Sequence, residues 1–274
     1  MPKIQRNAPV APPKAKGPSA KPEGAPPLQV TRGWIPEFAR GVADAVSDTV
    51  DLTVGLDTPG AKPITLGPVD PAAFGKMDAK VALLDGAAPP LSAQERTKLE
   101  RGEILTMHTP LADGMVEERT VGLVDVPLEE FLKKVPAKDW GKNLVDWKGG
   151  EVRAAGPGRQ VERMVLRMPG KDLDMTKVET VTDDRDASGK LQSSRVRWEV
   201  LKSDNGTVKQ DVGTLKLERY GDKTLVTWHS AHALNKFPVA TALLPKEATD
   251  AAAGMVLSSY FRRAIEHYRE LTGG

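Results

Sequence analysis

The side chains able to do chemistry in this chain are few and set apart. There are four histidines: His108, His229, His232 and His267. His229 and His232 stand three apart, so a strand sends them to opposite faces and they do not share a metal. His108 is isolated, and no Ser-His-Asp set can be named. Arg262 and Arg263 beside His267 read as a solvated helix face. The one acid–base combination with a rationale is His232 together with Tyr260 or Tyr268, acting on a bound polyketide. Asp183, Asp184 and Asp186 lie in the acidic stretch 183–190, but the spacing lacks the terminal Glu of a calcium loop. A solvated loop is expected there, and Gly156-Pro157-Gly158 reads as a plain turn. The chain has no G-x-S-x-G, H-E-x-x-H, Walker or G-x-G-x-x-G pattern. It also has no cysteine, which excludes disulfides, thiolate zinc and Cys nucleophiles. Catalytic residues, metal and cofactor are therefore all expected to be absent.

What remains is non-covalent recognition by Met and Trp, and turn chemistry positions those residues. Pro169-Gly170 suits the centre of a type II turn. Leu166 then opposes Leu173, Met164 opposes Met175, and Glu162 opposes Lys177 as a charge pair. Met164, Leu166, Met168, Leu173 and Met175 share one face. Asn205-Gly206 predicts a type I′ hairpin that pairs Asp204 with Thr207. This sets Trp198 across from Gly213, where an aromatic covers strand backbone. Gly221-Asp222 predicts a type II′ turn, which places Leu215 opposite Trp228 and Asp211 opposite His232. The two hairpins share a strand and agree on an inward set: Val196, Trp198, Val200, Gly213, Leu215, Leu217, Val226, Trp228 and Ser230. The outer set is Arg195, Arg197, Glu199, Thr214, Lys216, Glu218, Thr227 and His229. Independent turn assignments that agree support the register.

A long amphipathic helix from Pro245 to Leu271 follows, with Leu257, Phe261, Ala264, Ile265, Tyr268 and Leu271 on one stripe. Upstream, Ser92 to Glu95 forms a capping box for a helix ending near Arg101, with Gly102 after it. Strands are expected at Glu103–Thr109 and Met115–Val126, a short helix at Leu128–Val135, and a helix or turn from Trp140 to Trp147. Pro36 and Asp70-Pro71 each signal a helix start, the second leading into Ala72–Leu84.

The chain has 274 residues and a net charge of +2, so composition makes no case for nucleic acid. Residues 1–28 carry five basic residues against Glu23, which leaves the rest acidic. Their Pro, Ala, Lys and Gly composition predicts a disordered tail able to touch an anionic membrane surface transiently. Residues 29–91 are expected to form a helical extension or linker, and 92–274 the main domain. No transmembrane segment is expected. The first residues lack the apolar core of a secretory signal, so a cytoplasmic location is the expectation, with export without a standard signal peptide as the alternative.

The stretch Val121 to Phe131 resembles the opening strand-to-helix motif of the START-like superfamily, in its polyketide cyclase/dehydrase and lipid-transport branch. There an apolar strand ends in Asp-Ala-Pro before a helix bearing an aromatic; here Val126 replaces the Ala. Lys138-Asp139-Trp140 resembles the family's Asp-x-x-x-Trp region with altered spacing. Leu99-Glu100-Arg101-Gly102-Glu103 resembles its lead-in, and Phe237-Pro238 its close. The resemblance covers about residues 91–272. It implies an α+β helix-grip fold: a curved antiparallel sheet of about seven strands wrapped on the C-terminal helix. It also implies a cavity for lipids, sterols, polyketides or other apolar molecules. Members include carriers, cyclases and co-chaperone-like modules.

The expected function is therefore binding or transfer of an apolar small molecule between sheet and helix. The expected lining is Met164, Leu166, Met168, Met175, Trp198, Leu215, Trp228, His232, Leu257 and Phe261. A cyclase would need His232, Tyr260 or Arg263 to converge in the pocket. A protein-interaction module would have a solid core behind Trp198 and Trp228. An empty apolar void of roughly 300 Å3 would cost on the order of 7 kcal/mol, so the interior must be filled by side chains or occupied.

Overall fold

The computed structural model describes residues 66, 68–111, 115–144, 147–167, 172–234 and 260–273, together with the backbone of Gly33–Trp34. The tail 1–28, the helix after Pro36, Met168, the Pro169-Gly170 turn, Phe237-Pro238, Pro245 and Leu257 lie outside the described residues.

Strand β1 is Gly33–Trp34, so the extension supplies an edge strand as well as helix. Helix α1, Ala72–Ala87, starts where Asp70 Oδ1 accepts the Ala72 amide at 2.9 Å. Phe74, Met77, Val81 and Leu84 recur at helical spacing along α1 and are all buried. Helix α2, Ala93–Glu100, has the capping box at Ser92 and Glu95. It closes with the Gly102 amide on Leu99 O and the Glu103 amide on Lys98 O, a Schellman end. Strands β2 (Leu105–Pro110) and β3 (Val116–Val124) follow, then helix α3 (Leu128–Lys134) and a 3-10 turn, Ala137–Asn143.

The remaining strands are β4 (Trp147–Gly156), β5 (Arg159–Leu166), β6 (Leu173–Arg185), β7 (Leu191–Ser203), β8 (Val208–Tyr220) and β9 (Lys223–Leu234). Helix α4 spans residues 260–272. All neighbours are antiparallel, in the order β1-β2-β3-β9-β8-β7-β6-β5-β4. This is an α+β helix-grip architecture with nine strands rather than about seven. The additions are β1 and β4, the latter beginning where Trp147 was expected to end a helix or turn.

The expected pairs are present: Met164 with Met175, Glu162 with Lys177, Trp198 with Gly213, Leu215 with Trp228, and Asp211 with His232. A Cβ on Gly213 would sit 2.5 Å from Trp198 Cζ2, so this strand position admits only glycine under the indole. The Asn205-Gly206 turn differs from expectation. The Gly206 amide bonds Ser203 O at 3.1 Å, and residues 204–207 form the loop. The register survives, with Trp198 still opposite Gly213. In the acidic stretch, Asp183 and Asp184 belong to β6. Asp186 Oδ1 accepts the Ser188 and Lys190 amides, so it closes its own hairpin instead of facing a cation.

The two faces of the sheet are covered differently. On one, Phe74, Met77, Val81 and Leu84 pack on Val161, Val178, Val212 and Ala231. Around that contact Arg195 pairs with Asp85, Arg197 with Asp78 and Lys80 with Glu199. The expected outer face is thus largely the floor of α1. On the other face Val196, Trp198, Leu215, Leu217, Val226 and Trp228 meet Phe131, Trp140, Ala264, Ile265 and Tyr268. Leu271 leaves the expected stripe and is 40% exposed. Thr272, one turn beyond Tyr268, is buried in its place. Arg269 Nε bonds Leu123 O at 2.9 Å, and Lys134 Nζ bonds Thr272 O at 3.0 Å, which fixes the end of α4 against β3 and α3.

Candidate functional site

A pocket lies between the inward face and α4, at the end of the sheet where β5, β6, β8 and β9 meet Tyr260 and Phe261. The wall is Met164, Leu166, Leu173, Met175, Val208 and Leu234 below, with Trp140, Leu144, Trp198, Tyr260 and Phe261 around it. Polar groups enter it only through Lys177, Asp211, His232 and the Tyr260 ring. The cavity amounts to about 40 Å3. The interior is therefore largely filled by the indoles. Trp140 lies 5.2 Å from Trp198 and 5.4 Å from Trp228, centroid to centroid.

Of the expected lining, Met164, Leu166, Met175, Trp198, His232 and Phe261 surround the pocket. Leu215 and Trp228 belong to the solid core beside it, where Phe261 stacks on Trp228 at 4.8 Å. Met168 and Leu257 lie outside the described residues. Arg263 is not on the wall; its guanidinium lies over the Tyr260 ring at 4.7 Å. His229 faces away as its spacing requires, and Nε2 is 3.0 Å from Glu117.

The residues not foreseen have identifiable causes. Alternation puts Val208 and Asp211 on opposite faces, yet both line the pocket. An irregularity between Val208 and Gln210 adds one residue to β8 and turns Val208 inward opposite Leu234. A second irregularity, between Thr176 and Lys177, lies at the same end of the sheet. Trp140 comes from the 3-10 turn, whose placement no periodicity encodes.

Beneath the apolar wall lies a buried charge cluster. Lys177 Nζ is 2.9 Å from Glu162 Oε2 and 2.8 Å from Glu179 Oε1, and 3.8 Å above the Trp140 ring. None of the three charged residues exceeds 2% exposure. Trp140 Nε1 and Gln160 Nε2 both donate to Glu179. Burial alone would drive Lys177 toward its neutral form, but the two carboxylates outweigh it and hold the ammonium above its ordinary value. Burial raises Glu162, and the pull of Lys177 only partly offsets it.

Asp211 and His232 are cross-strand neighbours at the pocket. Burial raises Asp211 to about 6, against a bond from Trp198 and the attraction of Lys177. Burial lowers His232 to about 3, helped by repulsion from His108. His232 is a neutral imidazole at ordinary pH. Its Nδ1 lies 3.4 Å from Ser230 Oγ, while Nε2, in a side chain 3% exposed, has no hydrogen-bond partner among the described residues. The Tyr260 hydroxyl donates to Arg167 O at 2.7 Å. Among the described residues no group of His, Cys, Asp and Glu has the arrangement of a metal site. No helix there is long and apolar enough to cross a membrane.

No family model matches the chain, and no curated protein matches it. Solved structures do. A STAR-related lipid transfer protein from Xanthomonas axonopodis is 16% identical, over 61% of this chain and 93% of that one, with a TM-score of 0.44. Human StAR-related lipid transfer protein 5 is 15% identical, over 86% and 97%, at 0.43. The Zhui aromatase/cyclase from a Streptomyces species is 12% identical, over 58% and 91%, at 0.40.

Proposed function

We propose that the chain binds an apolar small molecule between its sheet and α4, holding or carrying it without transforming it. The observation behind this reading is the pocket wall itself. Met164, Leu166, Leu173, Met175, Trp198 and Phe261 converge on unfilled space where an ordinary core would close up. Methionine and aromatic side chains on one wall suit adaptable recognition. About 40 Å3 of space costs only on the order of 1 kcal/mol when empty, so the fold tolerates the vacancy between ligands. Ligand binding is favoured over chemistry because burial lowers His232 to about 3, which leaves it a weak proton acceptor, and the Tyr260 hydroxyl is already engaged. The basic tail, through Lys3, Arg6, Lys14, Lys16 and Lys21, belongs to the same proposal as a transient contact with an anionic membrane surface.

Native mass spectrometry of gently purified protein tests the reading, joined to titration with linear alcohols of increasing length. Trp140 and Trp198 on the wall give the signal. The expected result is a co-purifying apolar species or a saturable change in indole emission. Repeated absence of both overturns it.

A further inference from the structure

The charge balance on the pocket side of the sheet points to the kind of head group its ligand carries. Glu118, Ser230, Gly213 and Trp198 form one row across β3, β9, β8 and β7, so Glu118 shares the pocket face. That face buries or partly buries four carboxyl groups: Glu118, Glu162, Glu179 and Asp211. Lys177 is spent on two of them. His108 Nε2 stands 3.8 Å from Glu118, so even a protonated His108 would serve that residue. Asp211 forms no ion pair among the described residues; its hydrogen bond comes from the neutral Trp198 indole. Beside it, His232 Nε2 has no partner among the described residues. With Nδ1–H on Ser230 Oγ, Nε2 becomes an acceptor, and both groups then ask for a donor.

Resting on the reading that this pocket holds an apolar molecule, we propose that the molecule is headed by a protonated amine, seated between Asp211 and His232. An ammonium supplies three donors and a positive charge, and so answers both acceptors at once. A neutral hydroxyl has a single donor and leaves the excess charge in place. Trp198 and Phe261 border the same space, the rings of Trp140 and Tyr260 already carrying Lys177 and Arg263. Aromatic faces attract an organic cation where they would be indifferent to an alcohol and repel a carboxylate. The tail of the amine lies along Met164, Leu166, Leu173 and Met175 toward the open side.

Calorimetric titration of the full chain with n-hexylamine, n-hexanol and hexanoate tests this, because the three share a tail and differ only in the head. Hexylamine is expected to bind at least about tenfold tighter than hexanol, as a charge-assisted hydrogen bond requires. Hexanoate is expected to bind weakest. Asp211→Asn should erase the preference for amine over alcohol. Hexanol or hexanoate binding as tightly as hexylamine overturns the amine assignment alone and leaves the apolar pocket standing. A preference that survives Asp211→Asn also overturns it. Failure of all three to bind overturns the pocket reading itself. The comparison on the unmodified chain does not depend on the variant folding.

Discussion

At the scale of single residues, the interior owes its properties to ions and imidazoles placed where water is absent. Lys177 is held by Glu162 at 2.9 Å and Glu179 at 2.8 Å. Lys177→Met leaves two buried carboxylates without their cation and should cost about 3–5 kcal/mol. Replacing all three together, E162Q with K177M and E179Q, should recover most of that loss. An amide oxygen in place of the Glu179 carboxylate can still accept from Trp140. Urea unfolding of the original chain, the single variant and the triple variant checks it; a single variant as stable as the triple refutes the account. His232 gives a prediction in pH. Its native value is about 3, against about 6.5 in an unfolded chain. Between those values the unfolded state binds a proton that the native state refuses, so stability falls as the pH drops from about 6.5 toward 3. Asp211, raised to about 6, acts in the opposite sense between roughly 3.9 and 6. His232→Leu should therefore flatten the acid-side loss of stability, read as the denaturant midpoint at pH 5 against pH 7.5. An unchanged slope would place the acid sensitivity elsewhere.

At the scale of elements, helix α1 is part of the core and not an ornament. Met77 and Val81 are fully buried against the sheet, with Phe74 and Leu84 beside them. Met77→Ala should cost about 2–5 kcal/mol, measured by chemical unfolding. A loss below about 1 kcal/mol would mean that α1 docks loosely. The sequence made α1 legible as a helix but not its seat. Arg195, Arg197 and Glu199 alternate outward in a way that solvent explains as well as Asp85, Asp78 and Lys80 do. Period 2 reports which residues share a face, never what lies across it. The hairpins were readable in detail because turn residues fix the pairing. Leu215 against Trp228 follows from a two-residue turn, and Trp198 against Gly213 keeps the register that Asn205-Gly206 announces although the loop there is longer. Elements without such punctuation were not readable: β4 follows an irregular 3-10 turn, and the bulge that turns Val208 inward has no Gly or Pro to announce it.

At the scale of the molecule, one sheet serves two layers with different tasks. The α1 face is a closed seam of apolar contacts ringed by ion pairs, and the α4 face keeps a small space beside its aromatic core. Of the eight expected lining residues that are described, six surround that space, while Leu215 and Trp228 lie in the core beside it. Sharing a face does not decide whether a side chain meets a void or another ring, and Trp140 fills what the sheet alone would leave open. The energetic consequence concerns the whole fold. A molecule that binds only the native state at a hundred times its dissociation constant adds about 2.7 kcal/mol. For a chain of this size that should raise the thermal midpoint by roughly 5–10 °C. Leu166→Phe, which fills the pocket from its floor, should raise or preserve the midpoint of the free protein while abolishing the shift on adding hexylamine. Differential scanning calorimetry with and without the amine reads both effects. A Leu166→Phe variant that keeps the full ligand-induced shift would move the binding site away from the space beneath α4.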